Sequence, residues 1–340
     1  MNPLWKNALG TAGARFDSAS ETANILDFGD AAGELIAARD GTVIAPLTHL
    51  GCIRVAGEDA KSFLHNQLTN DINHLPGDGV QHAAWCSAKG RMLASFIVRR
   101  DGDNYLLQLS ADLVPAIAKR LQMFVLRAKV TITDMTETTA LLGLSGPEAA
   151  GALSTAGLPV PELMKSAAFA DGQVVRIDEN RFHIAIEAGA AAERWHALAA
   201  KAHPVGVAAW QWLDIRAALP LVSEATREQF VPQMANFERI GGISFHKGCY
   251  PGQAIVARTQ YLGKVKRHLY RLGCTEAMAA GDELYSIAAP DQACGMVLTA
   301  AASPAGGYEA LAVLMESAAD AGVQLRARDG IMVSAAAVAA

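Results

Sequence analysis

No Cys-any-any-Cys pair occurs in this chain. Its five cysteines, Cys52, Cys86, Cys249, Cys274 and Cys294, are scattered through 340 residues. That scatter excludes a disulfide framework and a self-contained zinc or iron–sulfur site, and it suits a reducing compartment. The nine histidines show no metal-ligand spacing, so no bound metal is expected. No glycine-rich fingerprint opens a helix after a strand, which removes the usual dinucleotide and phosphate loops. No uncharged apolar run is long enough for a bilayer, so no membrane partner is expected. Asp17, Glu21, Asp27 and Asp30 come early, without an apolar stretch behind a basic flank. The expectation is a cytoplasmic protein with no signal peptide. An excess of positive charge is missing too: 29 basic and 34 acidic side chains give a net charge of -5. The chain as a whole is therefore no general nucleic-acid binder, and no stable nucleic-acid complex is expected. A catalytic carboxylate pair is also lacking, because Asp101 and Asp103 read as a turn and Glu187 as a strand end.

What is present is ordinary soluble composition, 51% hydrophobic and 19% charged, in a length sufficient for two or three cores. A short helical piece around Leu4-Trp5 opens the chain, with Trp5 either a buried anchor or a ligand-facing ring. Leu50 to Ala56 reads as a strand, and Gly57-Glu58-Asp59 opens a helix through Ala60, Phe63, Leu64 and Leu68. Strands follow at 83–87, 92–99 and 105–109, then a helix over Leu113, Ile117, Leu121 and Phe124, then a strand at 130–132. Leu141 to Ala149 echoes Cys52 to Ala60: strand, glycine, acidic first turn. The echo is either an internal repeat or a chance likeness of two strand–helix junctions. More strands at 174–177 and 182–186 and helices at 190–202 and from Ala209 complete an α+β pattern. After Arg267 short apolar runs separated by Gly, Asp and Pro read as a small β-barrel or sandwich. The alanine-rich 334–340 is expected to fray. The domain boundaries follow: 1–262 holds two interleaved α+β units, and 263–340 the barrel.

One stretch stands apart in composition: Phe245-His246-Lys247-Gly248-Cys249-Tyr250-Pro251-Gly252-Gln253, running on to Arg258. Its glycines and proline place Cys249 in a tight loop, and 253–261 has helical composition. An extended approach would point Lys247 and Cys249 to one side. A positive neighbour and a helix N-terminus favour thiolate, so the spacing suits a reactive or ligating cysteine; an isolated cysteine is also commonly a small buried apolar residue. A basic run, Arg258, Lys264, Lys266, Arg267, His268 and Arg271, reads either as solvated surface or as an anion site for a polyglutamate tail or a phosphate backbone.

Lys247-Gly248-Cys249-Tyr250-Pro251-Gly252-Gln253 resembles the Lys-Gly-Cys-aromatic-any-Gly-Gln-Glu signature of the YgfZ family. The family's glutamate is Ala254 here, which puts in doubt any role needing a carboxylate at that position. Gly57-Glu58-Asp59-Ala60 with Gln67-Leu68-Thr69-Asn70-Asp71, Lys89-Gly90-Arg91, Arg216 with Leu219-Pro220, Val231-Pro232-Gln233-Met234 with Asn236, and Gly263-Lys264 with Lys266-Arg267 extend the resemblance from Leu50 to Arg267. The resemblance implies a tetrahydrofolate-binding protein that supports iron–sulfur cluster assembly or repair and tRNA modification. Lys247 and Cys249 would form its centre, with Gly248, Tyr250, Gly252, Gln253 and Arg258 completing the motif. It also implies a tetrahydrofolate or related folate held by Asn70, Asp71, Arg91, Arg216, Gln233 and Asn236. A pterin edge takes Asp, Asn or Gln partners, and a glutamate tail takes Arg. Iron–sulfur proteins or their assembly machinery are the implied transient partners, since one cysteine cannot hold a cluster.

The wider superfamily includes the glycine cleavage T-protein, an aminomethyltransferase whose three domains ring a central folate channel; that fold is expected here. The T-protein carries two adjacent aspartates on a strand, and aligning the apolar ends puts that pair on Ala94-Ser95. Neither can act as base or charge stabiliser. The alternative is an aminomethyltransferase with a displaced carboxylate, Asp71 or Asp101.

Overall fold

The computed structural model describes residues 1–18, 24–261 and 265–338. Helix α1 (Pro3–Thr11) starts at the cap Asn2, whose side chain accepts from the Leu4 and Trp5 amides. Strands β1 (Arg15–Phe16) and β2 (Ile25–Asp27) pair with each other, and α2 (Ala31–Asp40) and β3 (Val43–Pro46) follow. The first 49 residues are thus more regular than their glycine-broken sequence suggests. Asp30 supplies the missing start signal of α2, accepting from Gly33 N at 2.9 Å.

The first α+β set then runs β4 (Leu50–Ala56), α3 (Ala60–Gln67), β5 (Val80–Cys86), β6 (Met92–Asp101), β7 (Asn104–Ser110), α4 (Val114–Val125) and β8 (Thr131–Asp134). The second runs β9 (Thr139–Ser145), α5 (Ala149–Thr155), β10 (Ser166–Phe169), β11 (Gly172–Asp178), β12 (Arg181–Glu187), α6 (Ala191–Ala199) and β13 (His203–Pro204). One sheet has the order β5-β6-β7-β4-β8, the other β10-β11-β12-β9-β3-β13. Strand, helix, three-stranded meander and helix recur in both, so the echo between 52–60 and 141–149 is an internal repeat. Its joints agree in detail. Gly57 and Gly146 both have left-handed φ, 117° and 125°. A side chain at either would strike a carbonyl, Lys129 O at 2.1 Å or Gly41 O at 2.3 Å. Glycine is the residue that turns the chain from strand to helix against a neighbouring backbone.

Helix α4 buries Ile117, Leu121 and Val125; Phe124, expected on the same face, is exposed because Val125 occupies the inward position, and Leu113 precedes the helix in a 3-10 turn. Helix α7 (Val207–Arg216), a 3-10 turn at Pro232–Ala235 and α8 (Gln253–Tyr261) lead into the barrel. There β14 (Arg267–Cys274), β15 (Glu283–Tyr285), β16 (Gly295–Ala302), β17 (Tyr308–Met315), β18 (Val323–Leu325) and β19 (Met332–Ala337) close in the order β14-β17-β16-β15-β18-β19, with α9 (Glu316–Ala321) between β17 and β18. The stretch expected to fray is therefore β19, at least to Ala337. Its alanines pair backbone to backbone with β14, Tyr270 opposite Ala337 and Leu272 opposite Ala335. Barrel closure needs main-chain partners there more than large side chains.

Two compact units result. One comprises Met1–Ala60, His74–Gln81 and Ile97–Trp210; the other comprises Lys61–Asn73, His82–Phe96 and Gln211–Ala340. The first has a core around Trp5, Leu9, Phe182 and Trp195, with Trp5 and Trp195 edge to face at 5.9 Å. Trp5 is the buried anchor of the two readings open to it. The barrel encloses its own core, including Leu284, Val297, Ala312 and Leu314.

Candidate functional site

The second unit gathers every candidate residue. Asn70 and Asp71 lie in its 61–73 segment, Arg91 in 82–96, and Arg216, Gln233, Asn236 and the 247–258 motif in its long third segment. Nearly 190 positions of sequence thus converge in one body.

The motif loop is bent rather than extended between Phe245 and Lys247, so Lys247 and Cys249 differ in environment: Lys247 is buried and Cys249 exposed. This corrects the expectation that both point to one side. The Lys247 ammonium donates to the carbonyl oxygens of His65 and of Leu68, the latter at 2.5 Å. Those oxygens belong to the end of α3, where helical carbonyls lack partners and a cation is favoured. The Tyr250 ring lies 5.0 Å from the ammonium. Burial pushes Lys247 down to about 8, against the pull of Asp71 and Cys249. Burial likewise pushes the Tyr250 phenol up, so it stays neutral.

Around the lysine, polar side chains hold loops together. Asn70 donates to His82 O and Gly241 O, each at 2.7 Å, and accepts from Asp71 N. Thr69 donates to Gly242 O at 2.7 Å and accepts from Ala84 N at 2.8 Å. Asp71 accepts from Asn73 N at 2.9 Å and stands 3.3 Å from His65 Nδ1. These bonds fasten the segment after α3 to β5 and to the turn before the motif.

Gly248 leaves open space before Cys249. A side chain there would meet only His65 Nε2, at 3.6 Å. Beyond the cysteine the chain turns at Gly252 (φ 79°), whose absent side chain would strike Ser87 O at 2.4 Å and Gly90 Cα at 2.7 Å. Gly90 in turn abuts Ile255, whose Cβ would lie 2.9 Å from a side-chain carbon added at Gly90. The Lys89-Gly90-Arg91 turn and the Pro251-Gly252 turn therefore touch glycine on glycine, which no larger pair would allow. Gln253 opens α8 and its side chain reaches back to the carbonyls of Lys247 and Gly248, each at 3.4 Å.

The remaining candidates divide by exposure. Gln233 is buried; its Nε2 donates to Val256 O at 2.8 Å, and its Oε1 is buried with no hydrogen-bond partner among the described residues. Asn236 is buried in a left-handed conformation (φ 53°) and its Oδ1 accepts from Leu269 N at 3.4 Å. Arg91 is exposed and donates to the carbonyls of Glu228 and Gln229. Arg216 is exposed, 3.4 Å from Glu309. Arg258 is exposed on α8. The rest of the basic run disperses: Arg267 donates to Ala293 O, His268 contacts Val265 O, and Arg271 donates to Arg216 O. Lys264, with Gly263, lies outside the described residues.

Among the five thiols, Cys52, Cys86 and Cys294 are buried, Cys274 is half-buried and Cys249 is exposed. Burial raises Cys52 and Cys294, and pushes Cys86 up to about 12. Among the described residues no group of three His, Cys, Asp or Glu side chains could hold a metal ion, and no helix is long and apolar enough to cross a membrane. At the position aligned with the T-protein aspartates, Ala94 and Ser95 are both buried, and Ser95 Oγ accepts from Val222 N at 2.9 Å.

The tie from Lys247 to α3 was not legible in sequence. The one signal for it is negative: α3 ends at Gln67-Leu68-Thr69 without the glycine that commonly closes a helix.

Comparisons with known proteins agree with this architecture. Residues 7–158 match the family described as GCVT N-terminal domain. The chain is 34% identical over 229 residues to "tRNA-modifying protein YgfZ" of Vibrio vulnificus (strain YJ016), covering 67% of this chain and 69% of that one. The Edwardsiella ictaluri protein of the same name is 34% identical over 286 residues, 82% of this chain and 85% of its own. Among solved structures, the glycine cleavage system aminomethyltransferase T from Bartonella henselae superposes with a TM-score of 0.81 at 21% identity, covering 99% of this chain and 96% of that one. That likeness establishes the fold and nothing of the activity.

Proposed function

The chain belongs to the YgfZ family, and from that premise we propose that it supports tRNA modification through the Cys249 thiol, with a reduced folate as ligand and iron–sulfur proteins as transient partners. The observation that carries the reading is the contrast between the two motif side chains: the thiol is exposed while the lysine beside it is buried and clamped. A loop fastened this firmly around an exposed cysteine presents that sulfur at a defined place. An open Gly248 lets a partner approach the backbone next to it. A single thiol supplies at most one ligand of a cluster, so the chemistry is transient ligation or thiol exchange completed by the partner. Free thiols throughout fit a cytoplasmic setting.

For folate, the candidate residues fit unequally. Gln233 has a buried, unsatisfied acceptor oxygen, the kind of atom that asks for a ligand donor such as a pterin N–H. Arg91 and Arg216 are exposed and have the charge for a glutamate tail. Asn70 and Asn236 are engaged with backbone groups and serve as loop fasteners. Ala94 and Ser95, where the T-protein has carboxylates, argue against aminomethyl transfer.

Complementation tests this reading. In a strain lacking its own YgfZ protein, with cluster-dependent tRNA thiolation as readout, Cys249→Ala fails while remaining folded, and Cys52→Ala, Cys274→Ala and Cys294→Ala succeed. Rescue by Cys249→Ala equal to the parent's sinks the assignment. Calorimetry with tetrahydrofolate tests the ligand separately; no heat at millimolar folate removes it.

A further inference from the structure

Some surface cations in this chain pair with a carboxylate, such as Arg39 with Asp40, Lys129 with Glu58 and Lys165 with Asp78, at 2.7 to 2.8 Å. The turn and helix that flank Cys249 carry three cations that do not. Lys89, Arg91 and Arg258 are all exposed, and among the described residues none of them pairs with a carboxylate. They are brought together by the glycine-on-glycine contact: Lys89 and Arg91 flank Gly90, Gly90 sits on Gly252 and Ile255, and Arg258 follows Ile255 by one helical turn. Cys249 precedes Gly252 by three residues, a backbone span of at most about 11 Å. At the far end of α8, Tyr261 is 66% exposed, yet its ring is held edge to face by Phe245 at 6.1 Å. An exposed aromatic kept in one orientation beside unneutralised cations is the pairing that grips single-stranded nucleic acid: phosphates on the cations, a base on the ring.

We infer that the Cys249 face is a docking surface for RNA, with Lys89, Arg91 and Arg258 reaching the phosphate backbone and Tyr261 stacking on an unpaired base. The inference rests on the tRNA-modification reading above and adds that the chain meets its RNA directly, next to the thiol. A net charge of -5 keeps the contact local, weak and salt-sensitive rather than a stable complex. An acidic protein partner would use the cations but has no need of the ring; a folate tail would use one or two cations and no ring.

The test is binding of an unmodified tRNA transcript to the full chain, followed by fluorescence anisotropy across a salt series. Saturable binding at low salt is expected, about tenfold weaker in the double variant Lys89→Glu/Arg258→Glu, with the log–log salt slope shallower by about one to two. Tyr261→Ala should weaken binding to the transcript more than to a fully paired RNA duplex. Cys249→Ala should bind as the parent does. Circular dichroism melts confirm that the variants are folded. The inference is overturned if the parent does not bind below about 100 μM, or if the double variant binds equally. It is also overturned if that variant loses affinity for a polyglutamyl folate while keeping its affinity for tRNA. If binding fails while Cys249→Ala still abolishes complementation, the direct contact falls and the broader reading stands.

Discussion

The two copies of the strand–turn–helix repeat end in different ways. In the second copy α5 closes on itself. Gly157, in the left-handed conformation, donates to Ser154 O at 3.1 Å, and Leu158 donates to Leu153 O at 2.9 Å, a Schellman cap with both leucines buried. In the first copy α3 has no such glycine. His65 occupies the position that Leu153 holds in α5, and its carbonyl receives the ammonium of Lys247 from 182 residues further on. One helix is finished by its own next three residues; the other is finished by the motif. The difference teaches what the motif lysine does. It supplies the cap that the first copy lacks, and in doing so it anchors the loop that carries Cys249. A lysine that would be read as an activating charge beside a thiol is, in place, a tether.

The comparison can be broken first at the joints the copies share. Gly57→Ala and Gly146→Ala each force a side chain into a carbonyl at a left-handed φ, and each should cost about 3 kcal/mol or more. Urea denaturation should give similar losses for the two; a loss below about 1 kcal/mol at either would show that its joint relaxes and that the repeat is not obeyed there.

The caps come next, where the copies should differ. Lys247→Met removes the donor from two carbonyls at the end of α3, at about 1–3 kcal/mol for each acceptor left unsatisfied. Gly157→Ala in the second copy should cost only about 1 kcal/mol, the strain of a left-handed alanine. Equal urea midpoints for the two would remove the claim that the motif caps the first copy more strongly than glycine caps the second.

The smallest effect is a pH dependence of that tether. Lys247 is lowered by burial from 10.5 to about 8. Between those values the unfolded chain binds a proton that the folded chain does not, so the contribution of Lys247 rises with pH across that window and is flat below it. Urea midpoints of the parent compared with Lys247→Arg, which stays charged, should therefore diverge in the parent's favour from about pH 8 up to about pH 10.5. A constant difference would mean that the two carbonyls and Asp71 keep the proton on Lys247 despite its burial.

By itself the sequence settled what depends on neighbours along the chain. Apolar period, turn residues and glycine positions placed β4 to α4, β9, β11, β12 and α6 of the second copy, α8 and most of the barrel, because local backbone preference and a one-sided apolar pattern act over ten residues or fewer. The same locality made the exposed cysteine motif visible as an island of Lys, Gly, Cys and Pro. It could not show α2, β3 or β19, whose pairing partners are distant and whose own patterns are faint: β19 is alanine held by the backbone of β14. Nor could it separate Lys247 from Cys249. Two residues apart in sequence, they read as one functional pair, and only the tertiary structure turns one inward to α3 and the other outward. The physical reason is that helix-end carbonyls must find donors somewhere, and when the local chain offers none the donor is chosen by packing, at any distance along the sequence.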